Sequence, residues 1–137
     1  MDPAYRLIDT IPTQDDYLRL RRISGLTPKT EAGAVAGLPN SYLGVVIECD
    51  GRAVGMGRVI GDGGLFFQIV DMAVDPAHQA MGLGKAIMAR LMERLQATAP
   101  SDAYVSLIAD GAAHHLYAKF GFTPTAPASI GMHMKLP

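Results

Sequence analysis

The chain has 137 residues, of which 49% are hydrophobic and 18% charged, and its formal net charge is −1. This length and composition predict one globular domain, residues 1–137. No apolar run is long enough to span a membrane, and no basic stripe with stacking aromatics indicates a nucleic-acid binder. The N-terminus lacks the features of a signal peptide. A single cysteine, Cys49, predicts no internal disulfide, and a cytoplasmic protein is expected.

The first forty residues predict a short strand at 5–8 and two helices. Thr13 is suited to cap the first helix, two acids follow it in the first turn, and Gly25 ends it. Residues 30–38 predict a shorter second helix, which Pro39 stops. The arginines at 19, 21 and 22 are interpreted as one solvated helix face.

Three apolar segments then predict an antiparallel meander. Residues 42–49 form its first strand, and Asp50-Gly51 is a strong hairpin-turn signal. Residues 52–60 form the return strand of the hairpin, and two glycines weaken or bend this strand. Residues 65–74 form the third strand, which Pro76 ends because proline cannot donate to a sheet ladder.

A glycine-containing turn and an amphipathic helix follow this strand. Gly82 and Gly84 flank Leu83, and apolar residues recur with helical spacing at 83, 87, 91 and 95. Free N–H groups at a helix start suit a phosphate or pyrophosphate, and glycine lets such a ligand approach the backbone. The alternative is an ordinary turn before a packed helix.

Residues 104–108 predict a strand parallel to the one ending at Val74, because a crossover helix joins the two. Asp110 is then expected to cap a short helix running to Lys119, and residues 130–136 predict a final strand. This order predicts an α+β fold with a mixed, mostly antiparallel central sheet flanked by helices. The apolar final strand also permits a homodimer.

Two motifs resemble those of the GNAT superfamily of acyl-CoA-dependent N-acetyltransferases. Gln79-x-x-Gly82-x-Gly84 follows a strand, as in the family's acyl-CoA signature. Residues 116–122, Leu-Tyr-Ala-Lys-Phe-Gly-Phe, resemble the family's Tyr-x-x-x-Gly-Phe segment. The resemblance covers residues 41–136. It implies the GNAT fold, with a splayed parallel strand pair at the acyl-CoA site.

The resemblance also implies a function. The expected enzyme is an N-acetyltransferase that moves an acetyl group from acetyl-CoA to a primary amine of a small molecule or peptide. The amine attacks directly in a ternary complex without a metal, and Tyr117 is the general acid that protonates the departing thiolate. The alternative is a non-catalytic acyl-CoA-binding module of the same fold. The implied cofactor-binding residues are Met72, Ala73, Val74, Gln79, Ala80, Met81, Gly82, Leu83, Gly84 and Lys85.

The general base is the least defined role. Gln68 stands where some family members have a glutamate, and glutamine cannot act as a base. Asp71, an acid within an apolar strand, could bind or deprotonate the amine, or could hydrogen-bond a neighbouring element. Because 68 and 71 are an odd number apart, they are expected on opposite faces of the sheet.

Other positions depart from the family pattern or have ordinary interpretations. Ala80 stands where a second glycine is common, which alanine tolerates at negative φ. Asp110 stands where the family often has asparagine. His114 and His115 point about 100° apart on a helix and do not chelate one metal. His133 in the last predicted strand could face the substrate cleft, but is interpreted as a structural histidine, and Cys49 is interpreted as a small buried hydrophobe. A nucleotide-binding domain is disfavoured, since a full Gly-x-Gly-x-x-Gly and a Walker motif are lacking.

Overall fold

The structure, a computed structural model, describes residues 1–137. It forms two compact units, Met1–Leu107 and Ile108–Pro137. The first unit contains a five-stranded sheet and the three longer helices. The second contains short helical turns and the end of the chain. The single-domain prediction for residues 1–137 stays a prediction.

The sheet of the first unit has the strand order β1-β2-β3-β4-β5. Neighbouring strands are antiparallel from β1 to β4, whereas β4 and β5 are parallel. The strands are β1 (Tyr5–Ile8), β2 (Leu43–Cys49), β3 (Arg52–Gly61), β4 (Phe66–Val74) and β5 (Tyr104–Leu107); the helices are α1 (Gln14–Ile23), α2 (Glu31–Gly37) and α3 (Leu83–Thr98). The predicted mixed sheet and parallel pair are therefore confirmed.

Turns and helix ends follow the local sequence signals. Thr13 caps α1 by accepting a hydrogen bond from the Asp16 N–H at 3.2 Å. Thr30 caps α2 in the same way, through the Gly33 N–H at 3.0 Å. In the β2–β3 hairpin, Asp50 and Gly51 have φ of 52° and 75°. Two successive positive φ angles are typical of the type I′ turn that Asp-Gly favours.

Helices cover both faces of the sheet. Under α1 and α2 lies a core cluster consisting of Tyr17, Leu20, Ala34, Leu38, Val46, Ala53, Met56 and Ala73. On the opposite face α3 buries Leu83, Ile87, Met88, Leu91 and Leu95, which include the four positions of the predicted stripe. A Cβ at Gly57 would lie 2.6 Å from Met72 Sδ and 2.7 Å from Ile87 Cγ2. This glycine of β3 therefore provides room for α3, and the close packing holds the start of α3 beside the end of β4.

The second unit differs from the sequence prediction in two respects. Its regular elements are a 3₁₀ turn (Gly111–Ala113) and one short helix, α4 (His114–Ala118), and the Asp110 side chain makes no capping hydrogen bond. Residues 130–136 form no strand, so the predicted final strand is wrong, and His133, interpreted as a structural histidine, is exposed there. Alternating apolar residues favour an extended backbone, but a strand forms only where its N–H and C=O groups find a partner.

Candidate functional site

The glycine turn between β4 and α3 adopts an unusual backbone. A 3₁₀ turn (Pro76–His78) leads from β4, and α3 begins at Leu83. Gly82, at the N-cap of α3, has φ of 77°, and Ala80 has φ of 63°. Gly84 is the second residue of the helix. The two predicted glycines thus flank the start of α3, as the sequence indicates.

The conformation of Ala80 contradicts the sequence expectation. A negative φ is expected for alanine there, whereas its φ is +63°. For a residue with a Cβ the left-handed region costs about 1–2 kcal/mol. Left-handed residues turn successive N–H groups toward one side, which is the geometry of an anion-binding concavity. The positive φ angles of Ala80 and Gly82 therefore give the turn a backbone of the kind from which such concavities are built.

The backbone amides of this turn are free to bind a ligand. None of the N–H groups at positions 80–85 donates a hydrogen bond, and α3 places its positive end here. The Gln79 N–H lies 3.5 Å from the Pro76 carbonyl, and the Gln79 side chain donates to the Val74 carbonyl at 3.2 Å. Gln79 therefore ties the turn to the end of β4. The free amides at positions 80–85 are therefore available to an anionic group such as a pyrophosphate, and the assignment of the cofactor-binding residues stays a prediction.

β4 presents an open edge next to this turn. Its pairing with β5 runs from Phe66 opposite Tyr104 to Ile69 opposite Leu107. β4 continues five residues further, to Val74, without a β5 partner. Met72, Ala73 and Val74 lie in this part, so those of their backbone groups that neither β3 nor the Gln79 side chain holds can pair with an extended ligand as a strand would.

A one-residue bulge interrupts β4 at Asp71. Arg58 of β3 pairs with Val70, and Met56 of β3 pairs with Ala73. The two β3 residues are two positions apart, whereas their partners in β4 are three positions apart. Asp71 has φ of 59° within this bulge. The extra residue breaks the alternation of side chains between faces.

The bulge overturns the predicted placement of Gln68 and Asp71. Asp71 contacts Tyr17 and Arg21, which belong to α1. Gln68 is two residues from Val70, whose register partner Arg58 also contacts Asp71. Both side chains therefore lie on the face covered by α1, not on opposite faces.

The Asp71 carboxylate is held by three donors. Arg21 Nη1 lies 2.6 Å and the Tyr17 hydroxyl 3.0 Å from Oδ1, and Arg58 Nε lies 2.8 Å from Oδ2. Arg58 also donates to Ser41 Oγ at 2.7 Å. The side chains of Asp71, Arg21 and Arg58 are 5%, 10% and 11% exposed. This buried cluster joins the β4 bulge to α1 and to the start of β2.

The surroundings of Asp71 determine the ionisation state of its neighbour Tyr17. Burial, then the charge of Asp71 and its hydrogen bond, raise the pKa of Tyr17 above its usual value. Tyr17 therefore stays a neutral donor at physiological pH. With its oxygens occupied by two guanidinium groups and a phenol, Asp71 is better arranged to anchor the bulge than to accept a proton. Its catalytic role stays a prediction.

We expect Asp71→Asn to lower the free energy of unfolding by about 3 kcal/mol or more, because two buried arginines lose their counter-charge. Urea unfolding measures this. As a matched control, Asp15→Asn at an exposed position should change it by less than about 0.5 kcal/mol. A turnover rate within twofold of wild type, in the folded variant, rules out Asp71 as the base. A strongly reduced rate at unchanged stability contradicts the anchoring role.

Sequence reasoning missed the partners of Asp71. The sequence places Arg21 on a solvated helix face, whereas it is buried and donates through Nε and Nη2 to the Thr27 carbonyl at 2.8 and 2.6 Å. Arg58 lies inside an apolar strand, and its guanidinium stacks 5.5 Å from the centroid of the Tyr17 ring. Two oppositely charged residues, one in each of two neighbouring apolar strands, indicate that these two side chains pair with each other.

Tyr117 lies in α4 of the second unit and is buried. Burial and, secondarily, the charge of Asp110 raise the pKa of Tyr117 above its usual value. A raised pKa keeps the phenol protonated through neutral and mildly alkaline pH, as a general acid requires.

We expect Asp110→Asn to lower the pKa of Tyr117, because it removes the negative charge that opposes ionisation. The pKa should remain above the ordinary tyrosine value, because burial persists. NMR titration of labelled tyrosine rings, with Tyr117→Phe to assign the resonance, measures the change. An unchanged pKa would show that Asp110 does not act on this phenol.

Two of the remaining candidate histidines have hydrogen-bond partners within the protein. The Tyr5 hydroxyl and His78 Nδ1 share a hydrogen bond of 2.9 Å, and His114 Nδ1 lies 3.0 Å from the Gly111 carbonyl. Cys49 is half-buried, not fully buried as expected. No group of three or more His, Cys, Asp or Glu side chains is arranged to hold a metal ion. No helix has both the length and the apolar character that crossing a bilayer requires.

Two plant proteins are similar to parts of the chain. GCN5-related N-acetyltransferase 1, chloroplastic, of Arabidopsis thaliana is 46% identical over 57 residues, which are 42% of this chain and 29% of that protein. Serotonin N-acetyltransferase 2, chloroplastic, of Oryza sativa subsp. japonica is 34% identical over 82 residues, which are 60% of this chain and 40% of that protein. The chain thus spans less than half the length of these curated relatives.

A solved structure and a family model cover more of the chain. A protein of unknown function from meticillin-resistant Staphylococcus aureus, called a probable acetyltransferase, is 46% identical with a TM-score of 0.91. That match covers 96% of this chain and 99% of the other. The family model described as "Acetyltransferase (GNAT) domain" matches residues 40–124, which include both motifs. The chain therefore belongs to the GNAT acetyltransferase family.

Proposed function

We propose that the protein is an acetyl-CoA-dependent N-acetyltransferase that acetylates a primary amine of a small molecule or peptide. The observation that carries this proposal is the surface formed by the free amides of residues 80–85 and the open edge of β4. Membership of the GNAT family supports acetyl transfer. The words "N-acetyltransferase" in the names of both plant relatives support nitrogen as the acceptor atom.

The proposed cofactor contacts follow from the backbone. The N–H groups from Ala80 to Lys85 bind the pyrophosphate, assisted by the positive end of α3. The pantetheine arm extends along Met72–Val74 and pairs with that edge, as an added strand does. The Gln79 side chain donates to the Val74 carbonyl and so ties the pyrophosphate-binding turn to the end of β4.

The chemistry needs a neutral amine, a donor for the developing oxyanion and a proton for sulfur. We propose that the amine attacks the thioester carbonyl directly, in a ternary complex. A backbone N–H near the β4 bulge stabilises the oxyanion, and the C–S bond then breaks. Tyr117 gives its proton to the departing thiolate.

For the amine's proton we propose transfer to water. Gln68 can orient a water molecule but cannot accept a proton, and the Asp71 carboxylate is already held by Arg21, Arg58 and Tyr17. Asp71 remains the alternative base. For the compartment we keep the proposal of a cytoplasmic protein, although both plant relatives are chloroplastic by name.

The test is release of free thiol from acetyl-CoA with a panel of primary amines, including peptides and aryl amines. We expect one thiol for each acetylated amine, with mass spectrometry showing the acetyl group on nitrogen. Tight acetyl-CoA binding without thiol release for any amine would support the alternative, a non-catalytic acyl-CoA-binding module. Thiol release that is independent of amine would contradict amine transfer.

A further inference from the structure

Arg58 is a buried arginine whose hydrogen-bonding capacity the protein leaves partly unused. Its Nε donates to Asp71 Oδ2 at 2.8 Å and its Nη1 to Ser41 Oγ at 2.7 Å, whereas its Nη2 donates to no atom of the protein. Nη2 keeps contact with solvent, because the one fully enclosed side-chain atom without a partner is Arg19 Nη1. Since polar groups on buried side chains are nearly always hydrogen-bonded, these N–H groups are available to a partner from outside the chain.

The two nearby arginines of α1 differ from Arg58 in this respect. Arg21 donates from all three of its nitrogens, through Nη1 to Asp71 and through Nε and Nη2 to the Thr27 carbonyl. Arg19 Nη1 lacks a partner but is fully enclosed, so no ligand can reach it. Of these three side chains, only Arg58 therefore combines a buried guanidinium with a donor that a ligand can contact.

The charges around Asp71 do not balance. Arg21 and Arg58 each form a salt bridge with Asp71, and neither forms one with any other acid. Two guanidinium groups thus share one carboxylate where all three side chains are largely shielded from water. Positive charge in such a place is costly without a counter-charge. A monovalent anion at Arg58 would balance the cluster, whereas a phosphate group, with its larger negative charge, would make it net negative.

Arg58 also lies beside the proposed site of acetyl transfer. It pairs with Val70 of β4, just before the bulge and just beyond the last residue of β4 that pairs with β5. Its guanidinium contacts Asp71 of the bulge and lies 5.5 Å from the centroid of the Tyr17 ring. Neighbouring strands are only about 4.8 Å apart. An acceptor whose amine reaches a thioester at the bulge therefore brings atoms a few bonds from its nitrogen close to Arg58.

We propose that Arg58 binds a carboxylate of the acceptor, so that the protein acetylates free amino acids or similar small amino carboxylates. This inference rests on the proposed function and narrows its acceptor class. Nη2 and the unused N–H of Nη1 donate charge-assisted hydrogen bonds to the carboxylate oxygens. The N-terminus and the lysine side chains of a peptide have no carboxylate a few bonds from their nitrogen. Both should therefore be poor acceptors.

The test compares amino acids with the amines that their decarboxylation gives, such as phenylalanine with phenethylamine. The two members of a pair share a side chain and have amines of similar basicity, so the ratio of their kcat/KM values reports on the carboxylate. For the best pair we expect a preference of roughly tenfold or more for the amino acid, as for a hydrogen bond between charged groups. Arg58→Gln should lose this preference, and Arg58→Lys should keep part of it.

The matched control is Arg19→Gln. It removes another partly buried arginine, whose Nη2 donates to Asp16 and to the Ala53 carbonyl. This variant should keep the preference for the carboxylate, and circular dichroism establishes that all variants are folded. Equal kcat/KM values within every pair in the wild type would overturn the inference. So would a preference that survives in Arg58→Gln.

A second measurement does not depend on turnover and so separates this inference from the proposed function. In the wild-type protein saturated with CoA, the side-chain Nε–H resonance of Arg58, assigned with Arg58→Lys, should shift saturably with the amino acids of the panel. The decarboxylated amines should not move it. If the shift occurs but no amine supports thiol release, the proposed function fails and the carboxylate site stands. A resonance that no amino acid moves means that Nη2 donates only to water, and it overturns the inference even if amines are acetylated.

Discussion

Replacing Gly84 with valine is expected to weaken acetyl-CoA binding more than tenfold, which corresponds to about 1.4 kcal/mol or more. Gly84 is the second residue of α3, beside the free amides. A branched side chain there would keep the pyrophosphate from approaching the backbone. The helix itself should tolerate the change, because valine is a better helix former than glycine. Calorimetric titration with acetyl-CoA measures the loss.

The matched control is Gly37→Val. Gly37 is also a helical glycine, at the end of α2, and apart from its chain neighbours and the backbone of its own helix no atom lies within 4 Å of the position that a Cβ would occupy there. This variant should bind acetyl-CoA like wild type. A folded Gly84→Val variant with wild-type affinity would remove the turn from the cofactor site.

The second large effect is expected at Tyr117. Tyr117→Phe keeps the ring and its burial and removes only the hydroxyl, so any loss of rate reports on proton donation. Loss of a general acid typically costs about 10²–10⁴-fold. Because a thiolate is a fair leaving group, we expect the low end of this range in kcat at saturating acetyl-CoA.

The pH dependence provides an independent readout for Tyr117. Because burial and Asp110 raise the pKa of Tyr117, the wild-type rate should fall only when the pH rises above the usual tyrosine range. This fall in rate is the high-pH limb of the profile, and in Tyr117→Phe it should disappear. Tyr42→Phe, which loses a phenol bonded to Thr98, serves as control and should leave both kcat and the limb unchanged. If Tyr117→Phe behaves like this control, water protonates the thiolate.

Features with local causes were predictable from the sequence. Thr13 and the Asp50-Gly51 turn act through atoms only a few residues away, so their signals could be read directly. The stripe of α3 was predictable because helical spacing alone determines which side chains share a face. The turn from Gln79 to Lys85 combined both kinds of signal: its position at the start of α3 was predictable, whereas the positive φ of Ala80 was not.

Features that depend on distant partners were not predictable. The bulge at Asp71 adds one residue to β4 and inverts the alternation beyond it, and no residue type at positions 68–71 indicates this. Its stabilising contacts come from Arg21, fifty positions away in sequence, and from Arg58 on the neighbouring strand. The positive φ of Ala80 was also not predictable from its residue type, because the conformation depends on the whole turn.

The cofactor surface can be tested most directly by amide NMR of the protein titrated with acetyl-CoA. The predicted result is that the largest shifts fall on the backbone amides of residues 80–85 and 72–74, while those of the Gly37 region stay unchanged. The same amides should become protected from hydrogen exchange at saturation. Saturable binding whose shifts and protection leave both of these segments unaffected would contradict the proposed acyl-CoA site.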